Sequence, residues 1–404
     1  MSLELGIIAN EFFDLTLGAG RMGGFGWAAR QVSRVFADPS LDTTIVYFTG
    51  ELIGSPPGKH TVVHGRRLIL RQSTVRADFR RARSESPDLI LMIDYRPTYR
   101  WIFHALPTTP IIAWMRDPRP PGDVARVASL RIPGASDEIP LSALQSDCSS
   151  LGGLVRNSRR RRRPLLFASP ALHLRRKLEG MIGMTVDSFD LLPNPIDIDA
   201  RGAARGPHPR VAFLARLDPY KRPWLAVELA RRFPKVEFLL AGKAHYQGPR
   251  AWQPADLPSN VRLLGHVDGL EKARLLASSW VLLNTSIHEG LAVSFLEALA
   301  CGTPLLATVD PGGVVSRHGV FTGRFDGSGL PALPALEAGL RRLLAESRLR
   351  SIFGARGAVW VSSTHSRARF LEALGALATR GGLPLPPGSW LGAPEEIGVA
   401  ARGR

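Results

Sequence analysis

Between Ser279 and Asp310 the chain reads SWVLLNTSIHEGLAVSFLEALACGTPLLATVD, and few architectures accommodate such a stretch. Val281-Leu282-Leu283 is the short apolar run of a strand buried on both faces. Ser286 to Gly290 interrupts it, Leu291 to Ala300 has helical spacing, and after the breaker Gly302 the chain resumes as a strand at Pro304 to Ala307. Strand, helix and strand in this order form a βαβ unit, which demands a parallel sheet and collects ligands at the carboxyl ends of its strands. On the helix, Ala292, Phe295, Leu296 and Leu299 share an apolar stripe. Gly290, Val293, Ser294, Glu297 and Cys301 lie on the other side. Glu289 therefore sits at the turn and Glu297 on the small-residue face. The backbone N–H groups that open the helix favour a phosphate, and a carboxylate farther along accepts from sugar hydroxyls.

The same alternation extends in both directions. Strands are expected at Leu3–Ala9, Thr44–Phe48, Arg67–Leu70, Asp88–Ile93, Pro110–Trp114 and Leu165–Ala168, with helices near Phe25–Phe36, Tyr99–Leu106 and Leu172–Met181. Pro118 to Leu151, with five prolines before Ser142, reads as irregular. A break at Pro193-Asn194-Pro195 and a Gly/Ala/Pro/Arg-rich piece over Ala200–Pro209 precede a second series at Val211–Leu214, Val236–Ala241, Val261–Leu264, Val281–Asn284 and Pro304–Thr308. Two late helices follow, about Pro334–Glu346 and His365–Thr379. The expectation is α/β, with two Rossmann-like, doubly wound parallel-sheet domains facing across a cleft. The domains are placed at 1–192 and 193–362, a helix at 363–380 packs back on the first, and 381–404 is a flexible tail.

The second series opens with RVAFLARLDPYKRP. Asp218-Pro219 turns the chain after the strand, and Pro223 suits a first helical turn. Arg216 and Lys221 thereby reach one strand end, where a guanidinium fork and an ammonium can together clamp a diphosphate.

With FLARLDPYKRP, VRLLGHV and SIHEGLAVSFLEALACGTPLLAT in place, the chain from about Pro193 to Gly323 resembles the donor-binding domain of a family 4 type (GT4) retaining glycosyltransferase of the GT-B superfamily. The resemblance implies a nucleotide-sugar donor held between two Rossmann-like domains, with neither metal nor cofactor. It implies that Arg216 and Lys221 neutralise the diphosphate, that Glu297 binds the ribose and that Glu289 contacts the transferred sugar. Gly265, His266 and Val267 would border the base, Gly290, Leu291 and Ala292 would offer N–H groups, and Gly23-Gly24 would bring backbone to the phosphates. A carbohydrate or lipid-linked acceptor in polysaccharide or glycolipid biosynthesis is implied too.

The chain departs from the family pattern at Ala215, where Gly is usual, and at Ser316, where Glu is common. It also lacks the first-domain histidine. Arg116 and Asp117 occupy that place, and Asp117 is taken as the catalytic candidate facing the acceptor. His104, on a preceding helix, reads as structural. Three rival readings stay open: a GT-B enzyme of another reaction type, such as a phosphorylase or epimerase; an inactive GT-B protein that binds a glycan or nucleotide-sugar; and an NAD-dependent oxidoreductase using Gly18-Ala-Gly20-Arg-Met-Gly23. This last pattern begins nine residues beyond Ala9, too far for the tight strand-to-helix turn of a dinucleotide site.

The net charge of +17 is carried almost wholly by scattered arginines, with no zinc-finger spacing and no interleaved aromatics, so nucleic acid is not an expected partner. The run Arg159–Arg163 reads either as a solvated loop or as a patch for an anionic membrane surface. Apolar runs fall short of the ~18 to 20 residues a membrane span needs. Cys148 and Cys301 make no disulfide framework or ligand set. The expected location is cytoplasmic, including the inner face of the membrane.

Overall fold

In the computed structural model the described residues are 3–9, 11, 23–52, 61–63, 66–71, 75–134, 142–198, 205–244, 252, 254 and 256–383. The first sheet takes β1 (Leu3–Ile8), β2 (Thr43–Leu52), β3 (Thr61–Val63), β4 (Arg66–Arg71), β5 (Leu89–Met92), β6 (Ile111–Trp114), β7 (Leu165–Ser169) and β8 (Phe189–Leu191). Its order is β3-β4-β2-β1-β5-β6-β7-β8, parallel throughout except for the antiparallel pair β3-β4. The second takes β9 (Arg210–Leu214), β10 (Glu237–Ala241), β11 (Val261–Gly265), β12 (Val281–Asn284), β13 (Leu305–Ala307) and β14 (Gly319–Phe321), all parallel, in the order β11-β10-β9-β12-β13-β14. Each sheet reverses its winding beside its first strand, at β1/β5 and at β9/β12. Such switch points leave a crevice at the strand ends.

Continuous apolar runs bury both faces of each sheet, and four core clusters follow, two per sheet. The helix Arg367–Arg380 contributes Phe370, Leu374 and Leu377 to the core beneath β1 and β6. The Phe370 ring lies 5.6 Å from that of Trp114. The chain thus crosses between sheets twice, near Asn194 and near His365. These crossings are tied together: Asn194 N donates to His365 Nδ1 at 3.1 Å, and Ile196 N donates to the His365 carbonyl at 2.8 Å.

His365 is 1% exposed. Burial, with Arg116 nearby, lowers its pKa to about 4 from the ordinary 6.5. The folded protein refuses a proton that the unfolded chain accepts. Its contribution to stability is therefore complete above pH 6.5 and is lost as pH falls toward 4, at about 1.4 kcal/mol per unit. Urea unfolding at pH 7 and pH 5 should show this slope, reduced in His365→Asn; an unchanged slope in that variant would refute the assignment.

Three expectations are corrected. The Pro118–Leu151 segment is not irregular throughout, because Pro121 opens a helix to Ala128 and a longer helix spans Ser142–Arg161. Proline at the first helical position is compatible with a helix, and its density hid the start. Arg159–Arg163 is not wholly a loop: Arg159, Arg160 and Arg161 end that helix, where cations suit the dipole, and Arg162 and Arg163 follow in the turn beyond it. Arg163 is buried and donates to Ser158 Oγ and to the carbonyls of Phe103 and Leu106. Between the two late helices lies another, Ser347–Thr364. Its buried positions are Arg350, Gly354, Gly357 and Val361, with Phe353 and Trp360 only partly buried against the cores, so its packing face lacks the regular apolar period that announces a helix. Gly354 rests on the Gly302 carbonyl, where a Cβ would come within 2.1 Å.

Gly18 and Gly20 lie outside the described residues, as do the first half of Ala200–Pro209 and the tail from residue 384.

Candidate functional site

At the β9/β12 switch point the second domain presents its polar groups to a cavity of about 490 Å³ whose other wall is the first domain. Arg216 follows β9 and pairs with Asp218 at 3.2 Å. Lys221 ends a short 3₁₀ turn, and its Nζ lies 2.6 Å from Glu289 Oε1. Asn284 Nδ2 and Ser286 Oγ donate to that same oxygen at 3.1 and 2.6 Å. Burial pushes the Glu289 carboxyl up, but the Lys221 ammonium and the hydroxyl and amide donors outweigh it, and the pKa falls below the ordinary value. A carboxylate is thus held ionised beside a cation at the floor of the cavity.

Glu297, one turn into the helix Val293–Ala300, is 6% exposed, and Lys272 Nζ donates to its Oε1 at 2.7 Å. Lys272 is also 3.2 Å from Asp268, which Arg30 of the first domain engages through both terminal nitrogens. An ion-pair chain therefore runs from the first domain's helix to Glu297. Lys272 and Asp268 went unnoticed in the sequence. The signal available was a lysine on the apolar stripe of the helix Gly269–Ser278, beside buried Ala273 and Leu276.

Arg216, Lys221, His266, Val267, Glu289, Gly290, Leu291, Ala292 and Glu297 all line the cavity. Gly265 does not; it ends β11 with φ +69°, and its carbonyl accepts from Gly242 N. From the first domain come Gly23, Gly24, Arg116 and Asp117. Gly23 precedes the helix Gly24–Val35, and Glu11 Oε2 accepts from Gly23 N and Gly26 N at 3.1 and 3.2 Å. Of the Gly23-Gly24 backbone expected to meet phosphate, the Gly23 N–H already carries a carboxylate in this conformation.

Arg116 turns its guanidinium over Trp114 and donates to Asn194 Oδ1 at 2.7 Å, so it braces the domain crossing. Asp117 accepts from Arg119 at 2.6 Å and from His288 Nε2 at 2.8 Å. Burial pushes Asp117 up, yet Arg119 and then His288 hold it well below the usual range. His104 is exposed and outside the cavity. Burial raises the Cys301 thiol to about 12, which leaves it inert as a nucleophile.

Arg222 was also missed. It is fully buried at φ +47° and donates to the carbonyls of Thr285, Ser286 and Phe325 and to Thr308 Oγ1. It fixes the loop that carries Glu289.

The family described as glycosyl transferases group 1 matches residues 197–358. Those residues resemble a glycosyl transferases group 1 domain. The match takes in Arg216, Lys221, Asp268, Lys272, Glu289 and Glu297. A D-inositol 3-phosphate glycosyltransferase of Mycobacterium sp. (strain KMS) is 30% identical over 162 residues, which cover 36% of this chain and 35% of the relative. A human component of phosphatidylinositol N-acetylglucosaminyltransferase is 28% identical over 87 residues, 20% of this chain and 17% of that one. The chain thus spans about a third or less of the curated relatives' length. Anabaena HepE in complex with UDP-glucose superposes with a TM-score of 0.65 at 13% identity, covering 93% of this chain and all (100%) of that one. Sucrose-phosphate synthase from Thermosynechococcus elongatus gives 0.66 at 18% identity, over 94% and 97%. At such identities the likeness establishes the fold, which is GT-B.

Proposed function

We propose that the protein is a retaining glycosyltransferase that moves a sugar from a nucleotide-sugar to an acceptor hydroxyl. The observation that carries this reading is the convergence of Arg216, the Lys221–Glu289 pair and Glu297 on one cavity at the second sheet's switch point. A departing nucleoside diphosphate gains negative charge, and preorganised cations stabilise it better than water does. Charge neutralisation is assigned to Arg216 and Lys221, with no metal required. Glu297, held by Lys272 at one oxygen, receives the ribose hydroxyls, and Glu289 the transferred sugar. The UDP-glucose named for HepE and the D-inositol 3-phosphate in the name of the mycobacterial relative fit the same anionic chemistry.

The same proposal places the protein in the cytoplasm, at the inner membrane face where the acceptor is lipid-linked. Among the described residues no helix is long and apolar enough to cross a membrane. The exposed arginines at the end of Ser142–Arg161 suit an anionic surface.

The test is release of nucleoside diphosphate from a panel of nucleotide-sugars, with and without carbohydrate acceptors. Acceptor-dependent release supports transfer, and its absence across the panel overturns it. Thermal shift with UDP or GDP should show stabilisation by the nucleotide that binds. In Glu297→Ala the affinity should fall about tenfold or more, the effect of removing a charged hydrogen-bond partner. Stabilisation unchanged in that variant would contradict the ribose assignment.

A further inference from the structure

The loop His288-Glu289-Gly290 belongs to the second domain, yet the first domain grips it at both ends. His288 Nε2 lies 2.8 Å from Asp117 Oδ1. An ionised carboxylate only accepts, so the ring nitrogen donates, and this fixes the ring orientation. Asp117 is itself anchored by Arg119 through Nη2 and Nε at 2.6 and 3.0 Å. On the other side of Glu289, the Gly290 carbonyl accepts from His173 Nε2 at 3.2 Å. Gly290 is also seated on the Arg116 carbonyl. Glu289 stands between these contacts and points into the cavity. We infer that His288 is a positioning residue: through Asp117 it lets the first domain hold the Glu289 loop in register with the transferred sugar.

This rests on the glycosyltransferase reading and extends it, since the donor-sugar contact becomes complete only when both domains meet. His288 donates from a rigid ring that is 5% exposed, so its hydrogen bond is shielded from water. The nucleotide end of the cavity has its own, separate cross-domain tie at Arg30–Asp268. Loss of His288 should therefore be felt at the sugar and not at the nucleotide.

The experiment is calorimetric titration of UDP with UDP-glucose, and of GDP with GDP-mannose, into the full chain and its His288→Ala, His288→Gln and Asp117→Asn variants. For the pair that binds wild type, nucleoside diphosphate affinity should stay within about twofold in every variant. Nucleotide-sugar affinity should fall about tenfold in His288→Ala and recover to within about threefold in His288→Gln, whose amide nitrogen can still donate. Equal nucleotide-sugar affinity in wild type and His288→Ala overturns the inference. So does a glutamine variant as weak as alanine, or equal losses for nucleotide and nucleotide-sugar. If His288→Ala does not fold, Asp117→Asn and His288→Gln decide: near-wild-type affinity in glutamine with a sugar-only loss in asparagine supports it, and any other pattern overturns it. Wild type that binds none of the four ligands defeats the glycosyltransferase reading first, and this inference with it.

Discussion

Lys221→Ala is expected to lower kcat for sugar transfer by about 10² to 10³, the cost of removing one preorganised partner of a developing oxyanion. The geometry makes the loss a double one. Lys221 Nζ is the cation proposed to face the diphosphate, and at 2.6 Å it is also the main group that keeps Glu289 ionised against burial. Without it, the desolvation of Glu289 is opposed by Ser286 and Asn284 and by the charge of Arg119, and the carboxyl moves up toward its protonated form. Lys221→Arg should recover little, because a planar fork does not replace a compact ammonium in a pocket shaped for one. Arg216→Ala should cost less, about tenfold to a hundredfold. Its side chain is 37% exposed and already shared with Asp218, so water screens part of its charge. Steady-state kcat at saturating donor is the measurement. Losses of less than about threefold in both alanine variants would refute catalysis by charge neutralisation.

Local signals made the parallel strands and the βαβ units readable in the sequence. Leu89–Met92 and Val281–Asn284 are continuous apolar runs bounded by turn residues, and such runs have few alternatives in an α/β chain. Arg216, Lys221 and Glu289 were legible as candidates because each follows a readable strand end within a few residues, and Glu297 because it lies on the small-residue face of the next helix. What escaped depended on partners far along the chain. Lys272 looks like a solvated helix residue until Glu297 and Asp268 are seen beside it. His288 looks like turn filler because its partner, Asp117, is 171 positions away. The helix Ser347–Thr364 escaped for a different reason: glycines that let backbones approach leave no hydrophobic period.

The second large effect comes from one such close approach. Gly290→Ala is expected to reduce kcat about a hundredfold while leaving nucleoside diphosphate binding within a few-fold. Gly290 needs no unusual backbone, since its φ is not among the positive values. What it needs is space: a Cβ there would stand 2.2 Å from the Arg116 carbonyl oxygen and 3.2 Å from the Asp117 Cα. Neither atom belongs to a side chain that can swing away, so the two domains must separate there by about 1 Å. A shift of that size at a reacting centre costs on the order of 10² in rate, because near-attack geometry is lost while binding contacts elsewhere survive. The overlap should also cost about 1–3 kcal/mol of stability if the domains stay closed, and little if they open. Thermal denaturation alongside kinetics separates these cases. A variant with the stability of wild type and a hundredfold lower kcat means that the domains have opened. Wild-type kcat in Gly290→Ala would show that the first domain does not meet the Glu289 loop in the reacting state.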